Sequence, residues 1–190
     1  MNSIKMKRLW LGLLALASLA FAVPAQAASS VSLDITVQIA ATKSLSVSAT
    51  FYDFGAQTVS ATTETLTAIT VTNNSGALVE TYAITGANAP SQDAGTTWNL
   101  NASSVGTDQY MLAAQFSTAQ PSNLDASWAA DDLTTSAQVC SATVFGNGTA
   151  GQSGLTVLPS ATRSLWFRMK TPSAISDAGA HKATLTLAVN

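Results

Sequence analysis

Between residues 31 and 39 the chain reads Val31-Ser32-Leu33-Asp34-Ile35-Thr36-Val37-Gln38-Ile39. Apolar and polar side chains alternate through all nine positions, and a period of two is the mark of a β-strand with one buried face. Burying Val31, Leu33, Ile35, Val37 and Ile39 at about 1.5 to 3 kcal/mol each is worth on the order of 10 kcal/mol. A stretch of this kind has to pair with something. Its own sheet is one partner; a neighbouring subunit, reached by strand addition, is the other.

Upstream of this strand the chain has the three regions of a secretory signal peptide. Lys5, Lys7 and Arg8 precede an apolar run from Leu9 to Val23, and Pro24 and Ala25-Gln26-Ala27 follow it. The run is shorter than the roughly 20 residues of a membrane-spanning helix, and no cysteine follows it closely to accept a lipid. Cleavage after Ala27 is expected, which divides the chain into a signal peptide, 1–27, and a secreted domain, 28–190. The destination is extracellular, cell-surface or periplasmic, with no transmembrane anchor in the mature part.

Three of the eight basic residues lie within 1–27 and none of the ten acidic ones. The secreted part therefore sets five basic residues against ten acidic ones, a formal charge of −5. It has no basic stripe to neutralise phosphates, which argues against nucleic acid as a partner. Charged residues make up 9% of the chain, against about a quarter in an ordinary globular protein. Serine, threonine, asparagine and glutamine take their places, leaving a surface of hydroxyls and amides.

Downstream, strand-like segments recur at short intervals. Alternation resumes at Leu45, Val47, Ala49 and Phe51, and again from Thr65 to Thr72, where a shift of parity between Leu66 and Ile69 predicts a bulge. Asn73-Asn74-Ser75-Gly76 is turn chemistry, and Leu78 to Ile84 reads as the returning strand of a hairpin. Further strands are expected at 97–102, 110–116, 138–145, 154–158, 163–170 and 182–189, with Asn147-Gly148 as a second hairpin turn. Residues 117–137 show no lasting period and read as a long loop with one helical turn. Nine or ten short strands without an amphipathic helix predict an all-β fold, a β-sandwich of immunoglobulin-like or jelly-roll type.

Groups that carry chemistry are few. Cys140 is the only cysteine and reads as a small buried hydrophobe that can form no intrachain disulfide. His181 is the only histidine, a turn residue facing solvent at the start of the last strand. Asp125 with Asp131-Asp132, and Asp93 with Asp108, read as solvated loop carboxylates, so no catalytic set, metal site or cofactor is expected. The tripeptide Asp-Ala-Gly occurs at 93–95 and at 177–179, each time ahead of a strand, as reused turn chemistry. Trp98, Trp128 and Trp166 are candidate platforms for stacking a sugar ring.

Tyr52-Asp53-Phe54-Gly55 ahead of a Thr/Val-rich strand, then Trp98-Asn99-Leu100, then a closing strand from Ala183 to Val189, resembles secreted bacterial surface β-sandwiches, WxL-type wall-associated domains and fimbrial-type subunits among them. In place of a second Trp-x-Leu near the C-terminus the chain has Thr184-Leu185-Thr186-Leu187. The disulfide common in fimbrial subunits has no counterpart here. The resemblance implies a surface or appendage protein rather than an enzyme. Its expected partners are copies of itself or other cell-envelope proteins, with a polysaccharide as the alternative. Mass spectrometry of the exported product should find an N-terminus at Ala28; a product retaining Leu9–Val23 would contradict the division at Ala27.

Overall fold

The computed structural model describes Thr36, Val37 and residues 41–190. Its regular elements are almost all strands: β1 (Leu45–Val47), β2 (Thr62–Glu64), β3 (Ile69–Asn73), β4 (Tyr82–Thr85), β5 (Asn99–Leu100), β6 (Gln109–Phe116), β7 (Gln138–Val139), β8 (Thr162–Lys170) and β9 (Thr186–Val189). A single 3-10 turn, Asp125–Trp128, interrupts the long connection between β6 and β7. The strands form two sheets, a larger one in the order β1-β3-β8-β6-β5 with β2 also on β8, and a smaller one in the order β7-β4-β9. Among the described residues no helix is long and apolar enough to cross a membrane.

The nine residues of β8 organise the larger sheet. Strand β6 runs antiparallel along one edge, from Met111 opposite Lys170 to Phe116 opposite Leu165. The other edge is shared, with β2 opposite Arg168–Lys170 and β3 opposite Thr162–Leu165. Between the two, residues 65–68 face only Trp166 and Phe167, so the predicted bulge is present. Thr65 stitches it shut: its N–H donates to Phe167 O at 2.9 Å and its Oγ1 accepts the Phe167 N–H at 3.1 Å. Leu66 is thereby pushed out to solvent.

Alternation along β6 and β8 places their side chains on two buried faces. Tyr110, Leu112, Ala114 and Phe116 with Leu165 and Phe167 form one wall of the core; Tyr82 and Ile84 of β4, Phe145 and Val157 close it from the other side. The opposite face of β6 and β8 is covered by the 117–137 connection. Trp128 there has no exposed surface, and the buried guanidinium of Arg168 sits 5.4 Å from its ring centroid.

Two expected hairpins do not form. Residues 69–73 join the larger sheet and 82–85 the smaller, so Asn73–Gly76 carries the chain between sheets rather than back along one. Asn73 holds this crossing from inside the core. Its Nδ2 donates to Leu78 O and Val157 O, each at 2.9 Å, and its Oδ1 accepts the Ser75 N–H at 2.8 Å. Likewise 138–145 and 154–158 do not pair with each other. Gln138 and Val139 pair with β4, and Val157 makes a single bridge to Glu80. Both segments are drawn to β4 because Cys140, Phe145 and Val157 bury against it, which outweighs a local Asn-Gly turn. The second expected strand stops at Val47, short of Phe51, because the position facing Phe51 falls in the β2–β3 bulge, where no ladder is available.

Replacing Asn73 by alanine removes three hydrogen bonds and leaves two buried carbonyls with a partner missing. Urea unfolding should register a loss of about 2 to 4 kcal/mol, whereas Asn74→Ala, on the exposed side of the same turn, should stay within about 0.5 kcal/mol.

Candidate functional site

Antiparallel pairs alternate between residues that exchange hydrogen bonds and residues that do not, so the register shows which backbone groups stay open at an edge. In β9, Val189 lies opposite Tyr82 and Leu187 opposite Ile84, while the Asn190 N–H donates to Thr81 O at 2.8 Å. The bonded positions are thus Thr186, Ala188 and Asn190. The N–H and C=O groups of Leu187 and Val189 point away from β4, and no other described strand takes them. Strand β1 repeats the arrangement. The Ser48 N–H donates to Thr70 O and the Asn74 N–H to Ser44 O, so Leu45 and Val47 turn their backbone groups outward from β3.

The side chains at these open positions face inward. Leu45, Val47, Leu185, Leu187 and Val189 pack against the core yet are only half-buried. The two edges come together at one end, where Lys43 Nζ donates to Asn190 O at 2.5 Å and the Ser44 N–H donates to Glu80 Oε1 at 2.7 Å. Glu80 is buried, and its Oε2 has no partner among the described residues. Natural sheets guard exposed edges with lysine, proline or an inward charge. Between Ala183 and Val189 this edge carries only threonine, alanine, leucine and valine.

No protein-family model, no curated protein and no solved structure matches the chain. The assignment of a role therefore rests on geometry.

Of the alternating segment 31–39, Val31, Leu33, Ile35 and Ile39 lie outside the described residues; Val37 is described, exposed and in no strand. The three tryptophans are widely separated in role. Trp128 is enclosed, its Nε1 donating to Ser122 O and Glu64 Oε1, and a ring without an exposed face offers nothing for a sugar to stack on. Trp98 has one face covered by His181, with ring centroids 3.9 Å apart. Trp166 is partly exposed on β8 and donates to Ser117 O at 2.9 Å.

The polar residues diverge from a solvated-loop reading. Asp125 is exposed but paired with Lys170 at 2.7 Å and Arg168 at 2.9 Å, which hold its carboxyl below the usual range. Asp131 is 2% exposed and accepts from Gln115 Nε2 at 2.5 Å. Burial pushes its pKa up to about 6, against the pull of Gln115 and the backbone amides of Phe145 and Gly146. The sequence signal for this pair was Gln115 itself, a polar residue inside the apolar run of β6. Cys140 is buried beside Phe116, and desolvation, aided by the Asp131 charge, raises its thiol to about 12, so almost no thiolate is available for attack. Among the described residues no three of His, Cys, Asp and Glu converge as a metal would require.

Asp131 has a pH signature. An unfolded aspartate titrates near 3.9 and this one near 6, so the folded chain binds the extra proton between those values. Stability from this group is greatest below about pH 4, falls as pH rises to about 6, and is level above. The fall should be on the order of 1 to 3 kcal/mol, and Asp131→Asn, which retains an acceptor for Gln115, should flatten it in unfolding free energies measured across pH 4 to 7.

Proposed function

We propose that the protein is an exported, non-enzymatic structural subunit of a surface filament or layer, built by adding residues 31–39 of one copy to the open edge of β9 in the next. In this reading the two sheets are the halves of a β-sandwich of immunoglobulin-like or jelly-roll type, and residues 28–190 form its single domain. The observation that carries it is the edge formed by Leu185, Leu187 and Val189. Each of these side chains already faces the core but is only half-covered, and the backbone N–H and C=O groups of Leu187 and Val189 find no partner strand among the described residues.

The incoming segment matches that edge in chemistry. It has five apolar residues on one face, nine residues without proline or glycine, and a single charge, Asp34, on the opposite face. Main-chain hydrogen bonds supply affinity in such additions and alternate side chains supply register. The tryptophans give the polysaccharide-binding alternative less to work with, since it now rests on Trp98 and Trp166. Other envelope proteins with an alternating strand could take the same edge.

Size-exclusion chromatography with light scattering tests this directly. Residues 28–190 should run as high-mass assemblies, and 41–190 as a folded monomer. Monomers from both, or assemblies of undiminished mass from the shorter chain, would remove the basis of the proposal.

A further inference from the structure

The two Asp-Ala-Gly tripeptides, 93–95 and 177–179, are brought face to face by the fold. Asp177 Oδ2 accepts the N–H of Thr96, the residue that follows Gly95. In the other direction, Asp93 Oδ2 accepts the N–H of Ala180, the residue that follows Gly179, at 3.4 Å. Each aspartate therefore binds the amide just beyond the other copy's glycine. The glycines permit the approach: a Cβ on Gly95 would lie 1.8 Å from Asp177 Oδ2, and one on Gly179 would lie 3.2 Å from Asp93 Oδ2. Backbone bonds from the Gln92 N–H to Ala180 O at 2.7 Å and from the Lys182 N–H to Pro90 O at 3.2 Å hold the two arms together.

His181 lies between these arms with its side chain 3% exposed and its ring stacked on Trp98. Its Nδ1 is 2.9 Å from Gly179 O, and its Nε2 is 2.9 Å from Thr96 O and 3.4 Å from Asp177 Oδ1. Every one of these oxygens can only accept. An imidazolium donates from both nitrogens and satisfies both carbonyls; a neutral imidazole has one N–H and sets a lone pair against the other carbonyl. Carboxylates stand around the ring. Asp177 Oδ1 is buried with no hydrogen-bond partner of its own. Asp93 stands on the facing arm. Asp108, at the start of β6, accepts from the Ser176 N–H at 2.8 Å and Oγ at 2.5 Å within the same loop. Lys182 is the one neighbouring cation, and its residue is exposed.

We propose that the 90–98 and 174–182 loops form a proton-operated clasp, closed while His181 carries both ring protons and loosened when it gives one up. Both donors are present on the acid side. When the ring gives up a proton, one of the two carbonyl bonds is lost and the arms separate more readily. The clasp stands immediately before β9 in the chain, so its opening frees the start of the strand whose edge is unpaired. This inference does not depend on assembly.

Because His181 is the only histidine, the ring of a histidine-labelled secreted chain gives one set of nitrogen resonances. Followed from about pH 5 to about pH 8, they report whether one or both ring nitrogens carry a proton. Amide hydrogen exchange at 91–98 and 176–182, corrected for its intrinsic pH dependence, should rise about tenfold where the ring loses its second proton, with β6 and β8 unchanged. His181→Phe keeps a ring on Trp98 but has no N–H, so these loops should exchange fast at both pH values. A singly protonated ring in loops that still exchange slowly, a titration that leaves loop exchange constant, or slow exchange in His181→Phe would each overturn the clasp. The wild-type spectra and exchange decide the matter alone should the variant fail to fold.

Discussion

Strand β8 is paired along both edges and covered on both faces, and the other elements take their positions from it. Its inward row of Leu165, Phe167 and Met169 meets the smaller sheet, while its outward row of Trp166, Arg168 and Lys170 is engaged by Ser117, Trp128 and Asp125. A strand enclosed in this way must satisfy every backbone group through neighbours. That requirement is why β2 and β3 share one edge across a bulge sealed by Thr65, and why β6 lines the other from Leu165 to Lys170. The 117–137 connection, irregular as it is, is fixed by the same constraint, since Trp128 and Asp125 supply the cover and countercharge that a buried Arg168 needs.

Pairing that is complete at the centre leaves the incompleteness at the rim. The larger sheet ends in β1 and the smaller in β9, and at both the residues whose backbone groups find no partner among the described residues are those whose side chains line the core. An edge of this form buries more apolar surface when another strand is added, and this one carries no charge or proline to discourage it. The sparse charge of the chain has the same effect: of the five basic residues between 28 and 190, four are engaged by Asp125, the Asn190 carbonyl or the Ser153 carbonyl, and little remains to guard an edge.

Much of this was legible in residue order. The alternation at 110–116 and 163–170, and the second half of that at 182–189, gave strands with the inward side chains packed on the core, and the parity shift between Leu66 and Ile69 gave the bulge. The irregular stretch with one helical turn was placed correctly because Pro121 and the acidic pairs break any period. What could not be read was pairing. Asn73-Asn74-Ser75-Gly76 and Asn147-Gly148 are local turn signals, and they were outweighed by burial of Asn73, Cys140, Phe145 and Val157, which is a property of segments far apart in sequence. His181 and the two Asp-Ala-Gly turns were misjudged for the same reason. Each is unremarkable beside its own neighbours and gains meaning only where residues 90–98 and 174–182 meet.

The central claim is that the β9 edge is unsatisfied until a strand from another copy joins it. Residue-resolved amide exchange along β9, in 28–190 and in 41–190, addresses it most directly. The amides of Thr186 and Ala188, bonded to β4, should be protected in both chains; those of Leu187 and Val189 should exchange quickly in 41–190 and slowly in 28–190. Fast exchange at Leu187 and Val189 in both chains would mean that no strand comes to that edge, and the account would fail.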